Sequence, residues 1–344
     1  MELPERIKTE QELEEVMTRP SPGLVEDMVR VEGDLLLLGV AGKMGPTMAR
    51  LARRAWDQAG RESRIIGVAR FTDAAVRDRL EADGIETIAA DLLDEEALAS
   101  LPDVPNIIYL AARKFGSTGN EPLTWAMNTY LPARVAVRFR CSRIVALSTG
   151  NVYAFSPTDG PGPDESTPVG PVGEYAQSCL GRERMFQYFS EQNGTPVSLI
   201  RLNYAIDLRY GVLMDVATKV FTGQPIDLTM GHVNVIWQGD ANAAILRSLR
   251  YCACPPFILN VTGPETISVR MLAAEFGRRL GKEPVLTGTE APTALLSNAA
   301  RYHKMMGPPQ VPLERMIDWV AHWVSIGGRT LNKPTKFQSR DGRF

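Results

Sequence analysis

Asp34-Leu35-Leu36-Leu37-Leu38-Gly39-Val40-Ala41-Gly42-Lys43-Met44-Gly45 decides how the rest of the chain is read. Its apolar run, Leu35 to Leu38, is the pattern of a strand buried on both faces of a sheet. The run passes directly into three glycines, after which Met48, Leu51, Ala52 and Ala55 recur at helical spacing. Gly39 to Gly45 is therefore a strand-to-helix turn. Glycines there let the backbone bend tightly and let a pyrophosphate approach the helix N terminus, where free N–H groups and the helix dipole favour an anion. A glycine pattern alone is weak evidence, but this one follows a buried strand and opens a βαβ series, the context the motif requires. Gly39, Gly42, Lys43, Met44 and Gly45 are thus the candidate dinucleotide cradle. The competing reading is a tight turn without a ligand.

Outward from this turn, strand and helix patterns alternate. Strands are predicted at 63–69, 86–90, 106–112, 143–148 and 197–202. Helices are predicted at 73–83, 95–101, 124–139 (despite Pro132) and 174–192. Such alternation predicts an α/β fold, a Rossmann-type doubly wound parallel sheet built from right-handed crossovers, with a smaller C-terminal substrate-binding domain. Residues 1–30 read as an N-terminal helical extension, with Thr9 and Glu12 at capping-box spacing. Residues 31–205, with a return segment at about 232–252, form the predicted dinucleotide-binding domain. Residues 206–231 and 253–330 form the substrate-binding domain, and 331–344 an extended basic tail. Residues 156–173, rich in Pro, Gly, Asp and Ser, read as a long loop of the kind often used functionally.

Composition narrows the class. The 344 residues carry 38 Lys plus Arg against 40 Asp plus Glu, a formal net charge of −2, without the basic footprint of nucleic-acid binding. Four cysteines (Cys141, Cys179, Cys252, Cys254) are too few for a disulfide scaffold of this size. Three scattered histidines (His232, His303, His322) give no metal-ligand spacing, so no metal site is expected. His232 reads as a solvent-facing loop residue, and Trp319 and Trp323 as core packing. The polar N terminus is not that of a secretory signal, and no apolar run is long enough to span a membrane. The chain reads as cytoplasmic.

The Gly-x-x-Gly-x-x-Gly spacing at Gly39, Gly42 and Gly45 resembles the extended short-chain dehydrogenase/reductase superfamily, in particular its NAD-dependent epimerase/dehydratase family. The resemblance covers about residues 34–325. It implies that Asp91 and Leu92 meet the adenine, that Leu110, Ala111 and Ala112 line the cofactor after the fourth strand, that Asn128 stands in the central helix, and that Leu147 faces the cofactor. NAD-specific sites usually place an acid after the second strand to accept from the ribose 2′-hydroxyl. Ala69 stands there, followed by Arg70, whose fork suits a 2′-phosphate. NADP is therefore expected slightly ahead of NAD.

The same resemblance gives Thr149, four residues before Tyr153, the hydroxyl that orients the reacting substrate oxygen. It makes Tyr175 the acid/base. The family pattern is Tyr-x-x-x-Lys, with Ser before the Lys and Glu four residues after it. Tyr175, Ser178 and Glu183 fit, but Cys179 occupies the lysine position. Free Tyr has a pKa of about 10, and bringing it to 7 takes roughly 4 kcal/mol of differential stabilisation. A neutral thiol gives little of this, and a thiolate would oppose it. Three readings follow. Lys114, two residues beyond Ala112, substitutes as the cation, with Arg113 its neighbour. Alternatively a dehydration, epimerisation or oxidation proceeds with a weaker base. Alternatively the protein binds cofactor and does little chemistry. Cys179 itself reads as a small apolar helix residue.

On the substrate side, Ser148, Thr149, Asn203 and Tyr204 are the candidates. No Arg stands just before the return segment, where many family members grip a nucleotide diphosphate. The function expected is therefore NAD(P)-dependent hydride transfer at a hydroxyl of a sugar, sugar acid or nucleotide sugar. The alternative is a non-catalytic cofactor-binding or sensor protein. The resemblance also implies a homodimer through the helices at 124–139 and 174–192.

Overall fold

The computed structural model describes residues 3–114, 116–333 and 335–343; Met1, Glu2, Phe115, Pro334 and Phe344 lie outside the described residues. Leu35–Leu38 (β1) is fully buried, as a strand covered on both faces must be. It is flanked by Ile65–Ala69 (β2) and Asn106–Tyr109 (β4), with Glu86–Ala89 (β3) outside β2 and Arg143–Thr149 (β5) outside β4. Val197–Leu202 and then Phe257–Val261 extend the sheet beyond β5, making seven strands. Every pairing in it is parallel. The order reverses between β1 and β4, the switch point at which open parallel sheets form their ligand crevice.

Two N-terminal helices, Glu10–Met17 (α1) and Pro22–Val29 (α2), precede β1. Gly45–Gln58 (α3) follows the glycine turn and buries Met48, Leu51, Ala52, Ala55 and Trp56. Ala74–Ala82 (α4) and Glu95–Ala99 (α5) complete the first crossovers. The predicted helix at 124–139 is Glu121–Trp125 (α6), a π turn at Ala126–Tyr130 and Leu131–Arg138 (α7). The wider turn directly precedes Pro132, which cannot supply an N–H to the helix. Gly173–Asn193 (α8) packs against this composite helix and ends on Gly194 in the left-handed conformation.

Three segments depart from the predicted division. Phe257–Val261, assigned to the smaller domain, is the edge of the main sheet, paired with Val197–Leu202. Its distance in sequence from the other strands hid that role. The 1–30 extension is not an appendage: Ile7 and Leu13 are fully buried in one cluster with Trp237, Phe276, Trp319 and Trp323, while Leu24 and Met28 pack with α3. Trp319 and Trp323 are core residues, as predicted. The tail is not a free arm: Thr335 and Phe337 are buried, and Arg340 lies over the Phe155 ring. Among the described residues no helix is long and apolar enough to cross a membrane.

Candidate active site

A cleft of about 240 Å³ opens at the C-terminal edge of the sheet beside the switch point. Its floor is the glycine turn. Gly39 has φ +91°, and a Cβ there would lie 2.7 Å from Ala111 N; a Cβ on Gly45 would lie 2.1 Å from Val40 O. Only glycine fits at either position, and the turn owes its shape to this. The α3 N terminus has no side-chain cap, so its first N–H groups remain available to an anion. Both observations fit a dinucleotide phosphate.

The cleft brings together Gly39, Gly42, Lys43, Met44 and Gly45 with Leu110, Lys114 and Leu147. From the end of β5, the first turn of α8 and the residues just after Val197–Leu202 it adds Ser148, Thr149, Tyr175, Asn203 and Tyr204, and from the tail Thr335. Tyr204 has a positive φ of 40°, a strained position for a bulky residue. Asn203 is buried and its Nδ2 has no hydrogen-bond partner, a donor ready for a ligand.

Tyr175 stands in the first turn of α8 and lines the cleft with Thr149, and Thr149 and Cys179 are the side chains that act on its hydroxyl. Thr149 Oγ1 also accepts from Asn151 N–H at 3.2 Å and Asn151 Nδ2 at 2.9 Å, which leaves its own proton for Tyr175. Burial raises the Tyr175 phenol well above its ordinary range, and negative charge on Cys179 would add to this; Arg182 opposes it. Burial likewise raises the Cys179 thiol. Lys114 places its ammonium 5.9 Å from the Tyr175 ring centre, and burial lowers it to about 8. Lys43 Nζ sits 4.0 Å over the Tyr210 ring, and burial lowers it to about 7.

Other predicted residues lie elsewhere. Asn128 is buried beneath the cleft with all its polar atoms engaged. Its Oδ1 accepts from Arg113 N–H at 2.8 Å and from Arg182 at 3.1 Å, while its Nδ2 donates to Arg113 O at 2.9 Å and Ser178 Oγ at 3.0 Å. It thereby holds the segment that carries Lys114. Ser148 lines the cleft, but its hydroxyl is engaged, donating to Glu183 at 2.5 Å. Ala111 backs the glycine turn, and Ala112 is exposed. Ala69 ends β2 and Arg70 follows it, before Phe71 at φ +45°. Exposed Asp91 caps Leu93 N–H at 3.0 Å, and Leu92 is buried in the core. These residues flank the cleft on its β2–β3 side without lining it. His232 pairs with Ser268 in a two-stranded ribbon, outside the cleft.

Sequence reasoning missed Lys43 as a residue that crosses the cleft, and it missed Arg182 and Thr335. A signal for Arg182 was present, since it shares a helical stripe with Tyr175 and Cys179.

The profile of the NAD dependent epimerase/dehydratase family matches residues 35–206, half of the chain. The chain belongs to that family. Comparison with curated proteins returns no match. Solved structures of similar fold include the UDP-glucuronic acid 4-epimerase of Bacillus cereus in complex with NAD. That protein is 14% identical, with a TM-score of 0.69 over 85% of this chain and 98% of the other. The UDP-glucose 4-epimerase of Thermotoga maritima, with UDP-glucose, is 16% identical, with a TM-score of 0.69 over 85% and 98%. The Thermus thermophilus UDP-glucose 4-epimerase complex with NAD is 18% identical, with a TM-score of 0.68 over 84% and 98%. At these identities the likeness is one of fold, which this family member shares over most of its length.

Proposed function

We propose that this protein is an NAD(P)-dependent enzyme of the epimerase/dehydratase kind. It would act by hydride transfer at a hydroxyl of a sugar, sugar acid or nucleotide sugar. The observation that carries the reading is that Tyr175 and Thr149 line one cleft with the glycine turn. Tyr175 exchanges the proton of the reacting hydroxyl, and Thr149 orients that oxygen. A bound nicotinamide supplies the hydride acceptor or donor. Lys43, Met44 and the uncapped α3 terminus hold the dinucleotide phosphates, while Asn203 and Tyr204 meet the substrate. Lys114 beside the Tyr175 ring favours an acidic substrate, a sugar acid ahead of a neutral sugar. Arg70 just after β2 favours a 2′-phosphate, whereas NAD is the dinucleotide held by two of the compared proteins. Parallel titration with NADP and NAD decides between them.

The test is turnover with either dinucleotide on a panel of sugars, sugar acids and nucleotide sugars. Tyr175→Phe is expected to abolish turnover while leaving dinucleotide affinity nearly intact. Full activity in that variant would sink the role. The raised Tyr175 phenol favours a second reading, a dinucleotide-binding protein without catalysis. Clear dinucleotide binding with no turnover on the whole panel would support it.

We also infer a homodimer through α7 and α8. Tyr130 at the end of the π turn, Val137 on α7 and Tyr188 on α8 are each more than half exposed, an apolar surface that a second copy would cover.

A further inference from the structure

The cation absent from position 179 has a counterpart one turn further along α8. Arg182 is buried on the same stripe as Tyr175, Cys179 and Phe186. Its Nη1 donates to the Leu147 carbonyl at 2.7 Å, its Nη2 to Asn128 Oδ1 at 3.1 Å, and the same Nη2 lies 3.8 Å from Cys179 Sγ. Its Nε meets no acceptor. Glu183, the next residue, is engaged by Arg201 at 2.7 Å, and among the described residues no carboxylate forms an ion pair with Arg182. A buried guanidinium without a counter-ion is unfavourable, and an anion forming beside it relieves that cost. The groups beside it able to become anionic are the Cys179 thiol and the Tyr175 and Tyr109 phenols.

We propose that Arg182 is a positioning residue that replaces the missing lysine from the inner side of the helix, stabilising negative charge on the Tyr175–Cys179 pair while Tyr175 exchanges its proton. The proposal rests on the reading of Tyr175 as the acid/base. It accounts for Cys179 as well as Arg182. A lysine at 179 would bring a second buried cation against the guanidinium, whereas a thiol fits beside it, with its Sγ 3.8 Å from Nη2. The other charged groups facing the pair are Lys114, from the segment after β4, and Glu183, from α8 itself. Glu183 is neutralised by Arg201. Lys114 lies on the cleft side of the Tyr175 ring. Arg182 contacts the Leu147 backbone and Asn128 instead, so the two cations approach the pair by different routes.

The test needs no substrate. A trifluorotyrosine, whose phenol is more acidic than that of tyrosine, is placed at position 175 in the full chain, and its ionisation is followed by fluorine NMR. Arg182→Gln is expected to raise the midpoint by about one pH unit or more, and Arg182→Lys to restore most of it. An unmoved midpoint in folded Arg182→Gln overturns the proposal. Should Arg182→Gln fail to fold, Cys179→Lys with Arg182→Ala moves the cation back to position 179. Its midpoint should lie at or below that of the parent; a midpoint a full unit higher overturns the proposal. Failure of the acid/base reading shows separately, as undiminished turnover in Tyr175→Phe, whatever the NMR midpoint.

Discussion

Lys43, inside the glycine turn, donates its ammonium to the Ala205 carbonyl at 2.9 Å, joining residues 162 apart in sequence. The contact bridges the turn that opens α3 and the backbone just beyond Val197–Leu202, where the smaller lobe begins. It lies across the cleft, with the Tyr210 ring beneath the ammonium. Asp207 is the nearby carboxylate that favours the charged form of Lys43, but Asp207 is itself paired with Arg209 at 2.9 Å. Burial therefore wins, and the group titrates at about 7.

This predicts how dinucleotide affinity depends on pH. An anionic phosphate beside Lys43 favours the protonated amine, so binding raises its pKa and takes up a proton above pH 7. Affinity should be greatest below about 7, where Lys43 is already charged, and should fall as pH rises through about 7 and then about 8, where Lys114 follows. The slope for each lysine is at most about tenfold per pH unit. Lys43→Met should weaken binding and remove the first fall. Equal affinities across that range in the parent protein would refute the assignment, with fluorescence or calorimetric titration as the measurement.

The deepest polar feature beneath the site is the Glu183–Arg201 pair. Glu183 accepts from Arg201 at 2.7 Å and from Ser148 at 2.5 Å, while Arg201 Nη1 donates to Tyr153 Oη at 2.8 Å. Tyr153 reaches Asn260 on the edge strand at 2.8 Å, so the network ties β5, α8 and Phe257–Val261 together. Glu183→Ala leaves a buried guanidinium and a buried hydroxyl without their acceptor. The expected loss is about 3–5 kcal/mol of unfolding free energy, read from denaturant midpoints. A loss below about 1 kcal/mol would show that the pair is dispensable.

The parts of this fold legible in the sequence are those set by local pattern. Leu35–Leu38 followed by three glycines could be read because buried strands and tight turns each demand particular residue types. Tyr175 and Thr149 came from the family resemblance and the cradle from its strand-to-helix context, and the structure brings all of them to one cleft. Phe257–Val261 was not, because parallel pairing with Val197–Leu202 joins segments about sixty residues apart. Arg182 was passed over because arginine ordinarily faces water. Its position seven residues after Tyr175 and three after Cys179 places it on the buried stripe, where a charge calls for explanation. Lys43 and Thr335 meet the cleft only through tertiary packing, for which no local pattern exists.

The proposed dimer face is tested by Tyr188→Glu. The residue lies on α8, more than half exposed, and makes an edge-on contact with Phe189 at 5.0 Å. A charge at the centre of a self-complementary apolar interface meets its own copy and must be desolvated there. The parent protein should elute and scatter light as a dimer and the variant as a monomer, with unfolding midpoints otherwise similar. A parent protein that is monomeric at micromolar concentration would overturn the proposal.

The C-terminal segment offers the last test. Thr335 N–H donates to Asp215 Oδ2 at 2.9 Å, and Thr335 lines the cleft. Phe337 is 3% exposed and packs into the smaller lobe's core. Arg340 donates to the Thr293 carbonyl at 2.7 Å, and a Cβ on Gly342 would touch the backbone of Val172 and Gly173, just before Tyr175. The segment is thus a strap running from the smaller lobe to the start of α8, with Phe337 as its buried apolar anchor. Phe337→Ala removes that anchor and should cost about 3 kcal/mol or more, given its burial. Because Lys336, Arg340 and Arg343 are sites for trypsin, release of the strap should show as faster loss of the C-terminal peptide, followed by mass spectrometry. A cleavage rate unchanged from the parent would mean that Phe337 does not hold the strap, and that its polar contacts, Thr335 to Asp215 and Arg340 to Thr293, are sufficient.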